Sequence, residues 1–71
     1  MEQCKEYRVI IWCNKGAKRG SFSYPVIVMA PDAKSAARYA LERDRAVTSK
    51  PLEVESVALR KSRYQWIDCN F

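Results

Sequence analysis

The chain has no histidine, only two glycines, three prolines and three cysteines. Histidine is the one side chain whose ordinary pKa lies near neutrality. Without it, and with no Ser-Lys or Cys-Asp pair at a telling spacing, nothing equips the chain for acid–base or nucleophilic catalysis. Glu53 and Glu55 are expected on one side of a strand, with nothing apolar to desolvate them as an acid–base pair. The reading is a protein that binds and is not an enzyme.

The cysteines exclude as much as the missing histidine. Cys4, Cys13 and Cys69 contain no C-x-x-C pair, and a closed zinc site wants four Cys or His ligands. No metal and no cofactor is expected. Cys4 and Cys13 flank or share one extended segment, too far apart for a mutual disulfide. A Cys4–Cys69 bridge stays open, since both lie near chain ends; three free thiols is the preferred reading. The longest near-apolar run, Tyr24 to Pro31, falls far short of a bilayer span. No apolar stretch precedes Val9, as a secretory leader would require. The expectation is cytoplasmic residence without membrane contact.

What is present fits one small domain over residues 1–71, with 48% hydrophobic and 30% charged residues and no repeat. Glu6 to Cys13 (Glu-Tyr-Arg-Val-Ile-Ile-Trp-Cys) and Ser21 to Ala30 are rich in β-branched and aromatic residues. The basic, glycine-bearing stretch Asn14 to Gly20 joins them as a hairpin. Pro25 has no N–H to give a ladder, so the second strand belongs at a sheet edge.

Asp32 is placed to cap a helix over about Ala33 to Asp44. Its apolar stripe is Ala33, Ala36, Ala37, Ala40 and Leu41. A third strand spans Glu53 to Arg60, and Tyr64 to Cys69 is a candidate fourth. The fold class predicted is α+β: ββαβ or ββαββ, an antiparallel sheet in order 2-1-3 or 2-1-3-4, with one helix packed on one face.

Period-2 alternation gives the helix Val9, Ile11, Val26, Val28, Val57 and Leu59. The other face receives Ile10, Trp12, Ile27 and Met29, with Val54 and Ala58 nearby. That set is too apolar for a bare solvated face. Three neighbours are open: the C-terminal segment folding back through Tyr64, Trp66 and Phe71, a second copy in a homodimer, or a foreign protein.

The formal net charge is +5, which suits an anionic partner. Lys15, Lys18 and Arg19 form a basic hairpin tip without the helix or the G-x-x-x-x-G-K-[ST] of a nucleotide loop. Arg60, Lys61 and Arg63 interleave with Tyr64 and Trp66, pairing charge for phosphates with flat rings for bases. Lys34, Arg38 and Arg45 share a helix flank, with Glu42 beside Arg38. The leading expectation is nucleic-acid contact through the hairpin tip and the C-terminal basic–aromatic segment. The alternative is a modulator docking on a host or self protein through the apolar sheet face.

The stretches Tyr7 to Trp12, Lys18 to Val26 and Asp32 to Glu42 resemble short accessory proteins encoded by bacteriophages, filamentous phages of Gram-negative bacteria in particular. The likeness covers about the first two thirds of the chain and contains no signature motif. It implies a cytoplasmic binding role in an infected cell, either handling phage nucleic acid or blocking a host factor. The element order also resembles a small ribosomal-protein module.

Overall fold

The computed structural model describes residues 3–14, 16–48 and 50–69. The elements are β1 (Lys5–Cys13), β2 (Phe22–Ala30), α1 (Ala33–Arg45), β3 (Leu52–Ser62) and β4 (Gln65–Cys69). The strands form one antiparallel sheet in the order β2-β1-β3-β4. The fold is therefore α+β, ββαββ, with the fourth strand present. Pro25 falls on β2, which is an edge strand, the place in a sheet where a residue without an N–H is tolerated. Strands β2 and β3 run parallel with β1 between them, and α1 makes the crossover.

Helix α1 begins where its cap dictates. Asp32 is extended (φ −152°, ψ 171°) and accepts the Ser35 N–H at 2.7 Å. That bond, with help from the nearby Arg38 and Lys34 charges, holds the Asp32 carboxyl below the usual carboxylate range. Arg43 and Arg45 lie in the last turn, where positive charge suits the helix dipole. The alanine stripe meets the sheet as expected: Ala36, Ala37 and Ala40 are buried. Methyl side chains let the helix axis come close, so the core is thin and built of β-branched residues. Val9, Ile11 and Val57 are its largest fully buried side chains, each contributing about 2 kcal/mol by removal from water.

One expectation about the faces is corrected. The register of β1 against β3 shifts between Ile10 and Ile11: Ile10 faces Ser56, but Ile11 faces Val54. Glu55 is the extra residue of a β-bulge, and a bulge reverses the parity of everything before it. Val54 and Leu52 therefore turn to the helix side and pack on the core, where uninterrupted alternation places Val54 with the open face. For the same reason Glu53 and Glu55 are not simple same-side neighbours; Glu53 stands opposite Trp12 on the open face.

The far end of α1 is tied down by Tyr24, whose hydroxyl donates to Asp44 Oδ2 at 2.6 Å. Asp44 is the one buried charged residue among those described, and Arg43 stands 3.6 Å from its other oxygen. Burial pushes the Tyr24 phenol up to about 12, helped by the bond to Asp44 and its negative charge. The three cysteines are free thiols. The register excludes the Cys4–Cys69 bridge within one chain. Cys69 stands opposite Val57, itself opposite Val9, and Cys4 is five residues from Val9 along the strand, roughly 16 Å away.

Two measurements test this packing. Ile11→Ala is expected to cost about 2–5 kcal/mol of unfolding free energy in urea, as buried isoleucine truncations do. Ile27→Ala, on the open face, should stay within about 0.5 kcal/mol. Tyr24→Phe should cost about 1 kcal/mol at neutral pH. A phenol whose pKa is raised on folding stabilises fully below its unfolded value of 10.0 and loses that contribution as pH rises through about 12. The wild-type advantage over Tyr24→Phe should therefore vanish between those two values.

Candidate functional site

The sheet register decides which of the candidate residues meet. The β1–β2 connection, residues 14–21, leaves the sheet at the edge where Cys13 pairs with Phe22 and Leu52. The β3–β4 turn at Arg63 and Tyr64 leaves it at the opposite edge, beyond the Tyr7–Leu59–Ile67 row. Nine residues of extended β1 separate the two, roughly 30 Å, in a molecule only 40 Å long. Lys18 and Arg19 thus do not share a patch with Arg60, Lys61, Arg63, Tyr64 and Trp66. Lys15 lies outside the described residues, as does Phe71.

The hairpin tip instead meets a cation that sequence spacing did not bring to it. Asn14 N–H donates to Pro51 O at 2.8 Å, tying the β1–β2 loop to the α1–β3 loop. Among the described residues of the turn, Asn14 (58°), Gly16 (88°) and Gly20 (79°) have positive φ. A Cβ on Gly20 would sit 3.7 Å from Lys50 Nζ and 3.6 Å from Asn14 Nδ2, so the Lys50 ammonium rests directly over the residue after Arg19. Arg45, in the last turn of α1, is carried to the same end of the sheet. Lys18, Arg19, Arg45 and Lys50 are exposed and have no carboxylate in ion-pair range among the described residues. Only the tertiary fold gathers this unneutralised charge.

The opposite end is compensated only at Arg60; Lys61 and Arg63 likewise have no carboxylate in ion-pair range among the described residues. Arg60 Nη1 bonds Glu6 Oε2 at 2.6 Å, both side chains about a third exposed. Arg38 faces Glu42 at 4.0 Å on an exposed helix flank, a pair of little energetic weight. Lys61 and Arg63 are exposed beside Tyr64, which is itself 86% exposed. A depression of about 350 Å³ at the start of α1 is lined by Asp32, Lys34, Ser35 and Arg38. Its first-turn amide at Ser35 is already taken by the Asp32 carboxylate.

The face turned away from α1 is not a uniform apolar plate. From β1 it presents Glu6, Arg8, Ile10 and Trp12, and from β2 Ser23, Pro25, Ile27 and Met29; β3 and β4 add Glu53, Ser56, Ala58, Arg60, Trp66 and Asp68. Ile27 and Met29 are 49% and 58% exposed, whereas Ile10 and Trp12 are half-buried. Trp12 Nε1 donates to Ser21 Oγ at 2.7 Å. The described part of the C-terminal segment does not fold back over this face. It extends the sheet as β4, leaving Ile27 and Met29 uncovered among the described residues.

At the β4 edge of that face, three side chains from three strands converge. The Arg8 guanidinium lies 4.9 Å from the Trp66 ring centroid and that of Arg60 lies 5.8 Å from it, both within cation–π range. Arg8 and Trp66 reach each other diagonally across β3: Arg8 stands opposite Ala58, a methyl side chain 2% exposed that leaves room beside it, while Trp66 stands opposite Arg60 and Asp68 is the residue directly beyond Ala58. Arg8 Nε is sealed from solvent and has no acceptor among the described residues. Trp66 was legible as a candidate; Arg8 was not, though a cation inside the otherwise apolar run Tyr7 to Cys13 was the signal for it.

Among the described residues, no three Cys, Asp or Glu side chains gather closely enough to hold a metal ion. No helix there is long and apolar enough to cross a membrane. No family model matches the chain, and neither a curated protein nor a solved structure matches it. The likeness to phage accessory proteins therefore rests on its three stretches of sequence alone.

Proposed function

We propose that this chain is a small non-catalytic nucleic-acid-binding protein, an accessory factor of the phage-encoded kind, and that its primary phosphate contact is the hairpin end of the sheet. The observation that supports this reading is the unneutralised cluster of Lys18, Arg19 and Lys50, with Arg45 at the same end. Cations without internal acids are free to neutralise phosphates and release counterions. The Arg60, Lys61 and Arg63 group becomes the secondary contact, since Arg60 already serves Glu6.

A second reading is favoured by one separate observation, the exposure of Ile27 and Met29 on the open face. It makes the chain a protein-binding modulator, docking on a host factor or on its own copy. Apolar docking is nearly indifferent to salt, whereas phosphate contact is not.

Titration of labelled oligonucleotides at two salt concentrations separates the readings. Wild-type protein should bind at low salt, with affinity falling steeply as salt is added. Replacing Lys18, Arg19 and Lys50 together by Gln should weaken binding and lower the log–log salt slope by about 2, at roughly 0.7–0.9 for each phosphate no longer neutralised. The same change at Arg60, Lys61 and Arg63 should do less. No binding at low salt would sink the lead reading. A dimer by light scattering that Met29→Asp dissolves would then favour the second.

A further inference from the structure

We infer that the nucleic acid taken by this protein is single-stranded, and that Arg8, Trp66 and Arg60 on the open face form the site that selects it. The inference rests on the nucleic-acid reading above and names its substrate class.

The open face is suited to unpaired bases and poorly suited to a duplex. A duplex stacks its bases inward and offers a flat sheet only phosphates. Among the described residues this face carries two cations, Arg8 and Arg60, against Glu6, Glu53 and Asp68, so a phosphate rail across it gains little. An unpaired base has an apolar π-face, and that face meets what the sheet supplies: Ile27 and Met29 on β2, and the indole of Trp66 on β4.

Arg8 is the residue that points to a ligand. Its guanidinium lies on the Trp66 ring, its Nε has no acceptor, and it pairs with no carboxylate among the described residues. A buried donor without an acceptor calls for an explanation, and with Nε sealed the outer Nη groups are where an anion must be met. A guanidinium held 4.9 Å from an indole centroid presents those donors beside a stacking surface. That arrangement fits one nucleotide, with its phosphate on Arg8 and its base against Trp66 or the neighbouring apolar side chains.

The distance from this cluster to the basic hairpin end is also consistent with one strand. Trp66 and Trp12 stand two strands apart and six β1 residues apart, roughly 22 Å. That is a short single-stranded site, near the lower end of the ~4–16 nucleotides that one small domain spans. The strand would start at Lys18, Arg19 and Lys50 and cross the open face to Arg8.

The test compares a fluorescent oligothymidylate of about 12 nucleotides with a duplex of the same length. Wild-type protein should bind the single strand at least about tenfold more tightly. Arg8→Gln should lower single-strand affinity by about tenfold and leave duplex affinity unchanged. Replacing Lys18, Arg19 and Lys50 by Gln should weaken both. Trp12→Phe leaves Trp66 as the sole tryptophan, and its emission should be quenched on saturation with the oligothymidylate; this holds the inference to account even if Arg8→Gln misfolds. Equal affinity for strand and duplex, or unquenched Trp66 emission at saturation, would overturn the inference while sparing the hairpin contact. Failure of both probes to bind at low salt would overturn the two together.

Discussion

One helix can shield only one side of a sheet, and every other feature of this molecule follows from that limit. The α1 stripe of alanines lies close on Val9, Ile11, Val26 and Val57 and excludes water from that side alone. A thin core of β-branched residues leaves little stability to spare, so polar ties at the margins matter. Asp32 closes one end of the helix and the Tyr24–Asp44 bond anchors the other. The second side of the sheet is left to whatever chemistry its outward residues can support.

That second side is organised in two ways. Along β2 it stays apolar and open, with Ile27 and Met29 half exposed. Towards β4 the guanidiniums of Arg8 and Arg60 lie over Trp66, with the small Ala58 opposite Arg8 leaving room for the contact. The bulge at Glu55 sharpens the division. By turning Leu52 and Val54 towards α1, it removes apolar surface from the open face and adds it to the core. The result is a mixed surface, unlike a plain hydrophobic patch, with Arg8 and Arg60 over Trp66 at one corner.

Charge is divided just as unevenly. Carboxylates answer the cations around Glu6 and Glu42. At the hairpin end Lys18, Arg19 and Lys50 answer to none among the described residues, although two loops are tied together to bring them close. Gathering like charges costs folding free energy. The cost is tolerated where solvent screens it.

The elements and their order follow from local patterning alone. The β-branched runs, the Asp32 cap, the alanine stripe and the edge proline each act within a few residues of themselves. The same patterning fixes which side chains α1 covers on β1 and β2, because strand alternation has a strict period of two. Three features needed the folded chain: that Val54 turns inward, that Lys50 joins the hairpin tip, and that Arg8 meets Trp66 across β3. A bulge shifts parity without a compositional mark. The two meetings join residues far apart in the chain, through a strand register that no local pattern records.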